Sequence, residues 1–125
     1  FHNIPDGQKV TLQVNAVRQI LSILMDNAIK YAPQKIGEVK IWARLNKNSV
    51  EFIVKDNGPG ISSNDKKHIF ERFYRANAAR TRTDASGYGL GLAIAKTLAD
   101  RCGYTIRIKS KPSAGAKFTL IVPRV

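Results

Sequence analysis

Four short segments of this chain carry residue types that do chemistry, and they follow one another in a fixed order. They are Leu24-Met-Asp-Asn-Ala-Ile-Lys-Tyr31, Asp56-Asn-Gly-Pro-Gly60, Ile69-Phe-Glu-Arg-Phe-Tyr-Arg75 and Gly87-Tyr-Gly-Leu-Gly-Leu92. In the first, Asn27 offers a neutral amide oxygen of the kind Mg²⁺ accepts, since magnesium prefers oxygen and fills most of its shell with water and phosphate. Lys30, about one helical turn on, reaches phosphate as a point charge, and Tyr31 presents a ring to a purine. In the second, the Asp56 carboxylate accepts a hydrogen bond from an exocyclic amine such as that of adenine, and repels the O6 of guanine. Gly58 and Gly60 allow positive φ and close approach of a ligand to the backbone. Together these parts would hold a nucleoside triphosphate.

The fourth segment supplies the anion cradle. Gly87, Gly89 and Gly91 run into a helix start, where unpaired backbone N–H groups favour phosphate. The string is not a dinucleotide fingerprint, because a polar basic stretch precedes it rather than a strand, and no Gly-Lys-Ser/Thr phosphate loop occurs. The third segment interleaves Phe70, Phe73 and Tyr74 with Arg72 and Arg75. Stacking on nucleic-acid bases is one use of such a cluster; rings that pack a short helix and anchor the loop after it are the simpler one. His2 and His68 have no neighbours suited to a triad or a zinc site and read as structural or incidental.

The elements that must position these residues follow from periodicity. Lys9 to Val14 alternates weakly and predicts a short strand. Asn15 is a helix cap candidate, and Val17, Ile20, Leu21, Leu24 and Ala28 recur at helical spacing, with Ile23, Asn27 and Lys30 along one margin. Pro33 closes that helix. Strands are predicted over Glu38–Leu45 and Val50–Val54 around a polar turn. Ser62 or Ser63 caps a short helix through about Phe73. Residues 76–88 lack periodicity and read as a mobile loop. Leu90–Arg101 is a second long helix, ended near Gly103. Tyr104–Lys109 and Lys117–Val122 form a final antiparallel hairpin through Lys111–Gly115. Adjacent strands with interspersed helices predict an α+β sandwich, a mixed and mostly antiparallel sheet with helices on one face.

The bulk numbers fit one domain over residues 1–125, with 43% hydrophobic residues, enough for a core. No stretch is long and apolar enough for a membrane-spanning helix, and one cysteine, Cys102, excludes an internal disulfide and reads as a small buried residue late in a helix. The net charge of +12 admits nucleic acid, acidic lipid, acidic protein or a phosphorylated ligand. Its densest group, Arg72, Arg75, Arg80 and Arg82, adjoins the glycine string, which suits phosphate. Nucleic acid accounts for neither Asp56 nor the glycine spacing.

With these residues in place, the chain resembles the catalytic, ATP-binding domain of bacterial two-component sensor histidine kinases, in the wider group that includes DNA gyrase and heat-shock chaperones. Asp26-Asn27-Ala-Ile-Lys30-Tyr31 looks like the N box, Asp56–Gly60 the G1 box, Phe70-Glu-Arg-Phe73 the F box and Gly87–Gly91 the G2 box. The resemblance implies a site for ATP and Mg²⁺ under a lid: Asn27 on the metal, Lys30 on phosphate, Tyr31 and Asp56 on the base. Gly87, Gly89 and Gly91 would border the triphosphate, with Arg80 or Arg82 touching it. The site would also take in Ile61, Phe73, Tyr88, Leu90 and Leu92. It implies phosphoryl transfer to a histidine on a separate dimerisation domain, then to a response-regulator receiver, within a membrane-anchored homodimeric parent whose kinase part is cytoplasmic. The alternative is a nucleotide-binding sensor or scaffold without transfer. Ile23 departs from the family pattern, which often has asparagine there, or glutamate in the hydrolytic relatives; Ile23 cannot activate water. The phosphoacceptor histidine and its helices are missing, so the chain looks excised from a longer protein.

Overall fold

The computed structural model describes residues 13–32, 36–74 and 90–124. Helix α1, Val14–Tyr31, is followed by the antiparallel strands β1, Val39–Leu45, and β2, Ser49–Asp56. A single helical turn, α2, Ser63–Lys66, comes next; α3 spans Gly91–Cys102, and β3, Thr105–Ser110, and β4, Ala116–Pro123, close the order. The sheet order is β1-β2-β4-β3, with every neighbouring pair antiparallel. The expected α+β layering is what forms; among the described residues the sheet is wholly antiparallel rather than mixed.

Alternation decides which face of the sheet carries the helices. Val50, Phe52 and Val54 of β2 pair with Val122, Leu120 and Phe118 of β4, and all six are buried. Helix α1 lays Val17, Ile20, Leu24 and Ala28 onto this face; Leu21, the fifth member of the predicted stripe, is only half-buried at its edge. Helix α3 contributes Ala95 and Ala99 to the same core; with only methyl groups at these positions it packs close beside α1. The α3 terminus is set by Gly103 at φ 75°, with the Tyr104 N–H on the Ala99 carbonyl at 2.8 Å and the Gly103 N–H on Asp100 at 3.3 Å. The Gln13 N–H donates to the Tyr104 hydroxyl at 3.0 Å, tying the start of α1 to the end of α3.

Several boundaries differ from the sequence reading. Helix α1 begins at Val14, so Val14 is helical rather than the end of a strand, and residues 9–12 lie outside the described residues. Asn15 sits inside the helix; Gln13 occupies the cap position without a side-chain hydrogen bond. Strand β2 runs on to Asp56, because pairing with Ala116 extends the ladder past the apolar run. The helix expected through Phe73 is only α2. Ser62 caps it, its hydroxyl accepting from the Asp65 N–H at 3.1 Å, and turns follow until Phe73 adopts φ 65°, a conformation that no helix continues through. The loop at 76–88 lies outside the described residues. Cys102 is half-buried at the last position of α3.

Candidate nucleotide site

The site forms where β2 runs out. Asp56 is the last residue of a central strand, 3% exposed, with Val39 on one side and Ala116 on the other. Its Oδ1 accepts the Gly58 N–H at 2.8 Å. That bond closes the turn and holds the carboxylate in a fixed direction, which a surface aspartate would not have. Asn57 pins the far side of the turn: its Oδ1 accepts the Glu38 N–H at 2.8 Å, and its Nδ2 donates to the Ile36 carbonyl at 2.7 Å.

The two glycines of this turn are required for different reasons. A Cβ on Gly58 would stand 2.4 Å from the Tyr31 carbonyl oxygen and 2.9 Å from Asp56 Oδ1. Its φ is not positive among the described glycines, so space rather than backbone freedom demands it. Gly60 has φ 78°, and a Cβ there would fall 1.9 Å from the Lys111 carbonyl. The close approach at Gly58 brings the end of α1 against the Asp56 turn. The two segments that the sequence separates by 25 positions therefore meet, with Tyr31 half-buried at the junction.

The start of α3 meets α1 one helical stretch earlier. A Cβ on Gly91 would lie 3.4 Å from Ile23 Cγ2. Asn27 stands one turn from Ile23 and one turn from Tyr31, half-buried on the margin between these two junctions, with Lys30 exposed. Leu90 and Leu92 are half-buried, and the first turn of α3 has no acidic residue and no side-chain cap. An acceptor-free helix start next to a glycine string is suited to an anion. A shallow groove lined by Val14, Arg18, Leu21, Ser22 and Met25 lies along the opposite margin of α1 and shares none of these residues.

Other expected site residues fall elsewhere or outside view. Ile61 is 2% exposed and belongs to the core, so it supports the turn from below. Phe73 is 66% exposed, its ring capped by the Arg72 guanidinium at 5.7 Å. It does not pack α2; Phe70 does the anchoring, edge-on to Phe118 with centroids 6.5 Å apart. Tyr74 donates to Asp65, and this bond raises its pKa above the usual tyrosine value, with burial and the charges of Asp65 and Glu71 adding to it. His68 pairs with Glu71 at 2.6 Å, consistent with a structural role. Arg80, Arg82, Gly87, Tyr88 and Gly89 lie outside the described residues. No cluster of histidine, cysteine and carboxylate groups able to hold a metal occurs among the described residues.

Ser110 is the residue that sequence reasoning missed. It is 6% exposed; its hydroxyl accepts the Ile61 N–H at 2.8 Å and donates to the Gly115 carbonyl at 2.6 Å. Its carbonyl takes the Lys66 ammonium at 2.8 Å. With the Ser113 N–H on the Pro59 carbonyl at 2.5 Å, it clamps the β3–β4 turn onto the Asp56 loop. Nothing local in the sequence marks a strand-end serine for that task.

Residues 13–125 match the family model described as histidine kinase-, DNA gyrase B- and HSP90-like ATPase. The sensor histidine kinase YkoH of Bacillus subtilis is 46% identical over 105 residues, which are 83% of this chain and 22% of that protein. The mycobacterial sensor histidine kinase MprB superposes with a TM-score of 0.79 at 27% identity, covering 94% of this chain and 78% of that one. Full-length ShkA, solved in complex with AMPPNP, superposes with a TM-score of 0.77 at 30% identity over 94% of this chain and 23% of that one. The chain belongs to the histidine kinase-, DNA gyrase B- and HSP90-like ATPase family, and within it groups with sensor histidine kinases. It spans 22–30% of the length of the sensor kinases it matches in sequence.

Proposed function

We propose that this domain binds ATP with Mg²⁺ and passes the γ-phosphoryl group to a histidine of a separate dimerisation domain, from which it moves to a response-regulator aspartate. The observation that carries the reading is the buried, oriented carboxylate of Asp56, in a turn where an added Cβ at Gly58 or Gly60 would strike backbone. A carboxylate so placed accepts from the adenine amine. Tyr31 lies along the base, Lys30 meets phosphate, and Asn27 holds the metal that travels with the nucleotide and spreads its charge. The glycines at 87, 89 and 91 let the triphosphate approach the backbone.

In the transfer, the incoming imidazole nitrogen forms a bond to the γ-phosphorus as the bond to the bridging oxygen breaks, and ADP leaves. Positioning and charge neutralisation are the domain's contributions. Ile23 favours transfer over hydrolysis: it sits beside Gly91 where a carboxylate would be needed to activate water.

The test is to incubate the chain with γ-labelled ATP and Mg²⁺, alone and with the histidine-bearing dimerisation domain of its parent kinase. The expected result is nucleotide binding by the chain alone and stable label only on the added domain. Robust self-labelling would overturn the reading. Binding without transfer to that domain would favour a nucleotide sensor. The domain boundaries at residues 1–125, and a membrane-anchored dimeric parent with its kinase part in the cytoplasm, belong to the same proposal. No helix among the described residues is long and apolar enough to cross a membrane.

A further inference from the structure

The face of the sheet turned away from the helices carries a feature the nucleotide site does not use. Lys40 pairs with Lys55, Lys55 with Lys117, and Lys117 with Lys109. Four lysines on four strands thus stand in one straight row across the whole sheet. Residues directly opposite share a face, and Asp56, Val54 and Phe118, their sequence neighbours, are buried on the other side. Lys40, Lys55 and Lys109 are exposed and Lys117 half-buried. Among the described residues Lys40 alone of the four has an ion-pair partner, Glu38 at 3.3 Å. Like charges directly opposite in a sheet oppose folding, so this row has a stability cost that, among the described residues, only the exposed Lys40–Glu38 pair offsets.

The next row on the same face sets Trp42 and Arg107 at its two ends, with Ile53 and Thr119 between them. Trp42 is 39% exposed and is the single tryptophan of the chain. The third row neutralises itself at one end, where Arg44 pairs with Glu51 at 2.5 Å. Positive charge is therefore concentrated in the rows nearest the Asp56 end of the sheet.

We propose that this face docks on an anionic phospholipid bilayer. The complementarity is one of shape and charge together. A sheet face is broad and has no groove, as a bilayer surface has none. Ammonium groups on flexible stems suit mobile headgroup phosphates as point charges, without the bidentate fit that arginine gives to a fixed partner. An exposed tryptophan beside them is the side chain that settles at the headgroup level. A single-stranded nucleic acid needs successive stacked rings, and this face offers one. An acidic protein partner would meet a flat surface with one aromatic anchor. Because Asp56 and the start of α3 belong to the helix-covered side, docking would leave the nucleotide site open to solution.

Trp42 is its own reporter. The chain is mixed with vesicles of phosphatidylcholine with or without phosphatidylglycerol, at low and high salt, and followed by flotation and tryptophan emission. Binding and a blue shift are expected only with phosphatidylglycerol, fading at high salt as exposed charges are screened. Each lysine near an anionic surface is worth about fivefold in partitioning, so the triple variant Lys55→Gln, Lys109→Gln, Lys117→Gln should bind about a hundredfold more weakly. The corresponding triple arginine variant should keep binding. Relief of like-charge pairs should leave the glutamine variant melting at or above the unsubstituted chain, and its ATP affinity unchanged. No flotation with anionic vesicles overturns the proposal, as does flotation that the glutamine variant retains. A single-stranded oligonucleotide or polyglutamate captured through these lysines, while vesicles are not, overturns it in favour of that partner class.

Discussion

Replacing Asp56 with asparagine separates the carboxylate's proposed role toward the nucleotide from its observed role in the turn. Oδ1 of the buried Asp56 accepts the Gly58 N–H at 2.8 Å. The asparagine amide oxygen can keep that bond, and the amide nitrogen then replaces the second oxygen. Toward the adenine amine, a donor now faces a donor. The lost interaction is a hydrogen bond to a charged group, about 1.5–3 kcal/mol, so ATP affinity should fall about 10- to 100-fold. Asp56→Ala should lose at least as much, and also loses the bond that closes the turn. Calorimetry with ATP and Mg²⁺ reads the affinity, and thermal melting without nucleotide checks the fold. The guanine O6 accepts from an amide nitrogen, so Asp56→Asn should also narrow the preference for ATP over GTP. Unchanged ATP affinity in a folded Asp56→Asn protein would remove Asp56 from the site and with it the main support for the proposed function.

Three further outcomes follow from other contacts. Gly58→Ala must displace the Tyr31 carbonyl, and backbone yields less readily than a side-chain tip; about 1–3 kcal/mol of destabilisation is expected, read by denaturant unfolding. Phe118→Ala empties a fully buried site beside Phe70 and should cost about 3–5 kcal/mol by the same measurement. Tyr74, neutral while bonded to Asp65, should ionise above the free tyrosine range. Its contribution to folding is present below the unfolded tyrosine pKa and is lost as pH rises through the raised folded value; ultraviolet titration should show one tyrosine moving back toward the free value in Asp65→Ala.

The long helices and the sheet were legible because their signals are local. The stripe Val17, Ile20, Leu24 and Ala28 is periodic, and the alternation in Lys117–Val122 names its buried face unaided. The failures have physical causes. Pairing with Ala116 carried β2 on to Asp56, and no property of Lys55 or Asp56 alone announces a strand. The stretch after Lys66 has the composition of a helix, but its aromatic anchor at Phe70 draws the chain down onto Phe118 and the helix is given up for turns. Phe73, one of three aromatics in six residues, seemed interchangeable with Phe70 in sequence; only packing tells the buried ring from the exposed one. In the candidate site, the residue types of Asn27, Lys30 and Asp56 are what suggest the proposed chemistry, whereas Ser110 acts through partners in a distant loop and a turn. Gly58 and Gly60 were expected to supply positive φ and room for close approach; only Gly60 has the positive φ, and Gly58 leaves room, for the Tyr31 carbonyl.

The clamp from the β3–β4 turn onto the Asp56 loop has a consequence for how the protein is made. Strand β4 lies between β2 and β3, so the centre of the sheet is filled by residues that leave the ribosome late. Until residues 110–123 have emerged, β2 lacks its inner neighbour, Pro59 lacks its latch at Ser113, and the Asp56 loop of the proposed nucleotide site has no rigid seat. A stalled or prematurely terminated nascent chain would thus carry every residue assigned to nucleotide contact and still be unable to take up ATP.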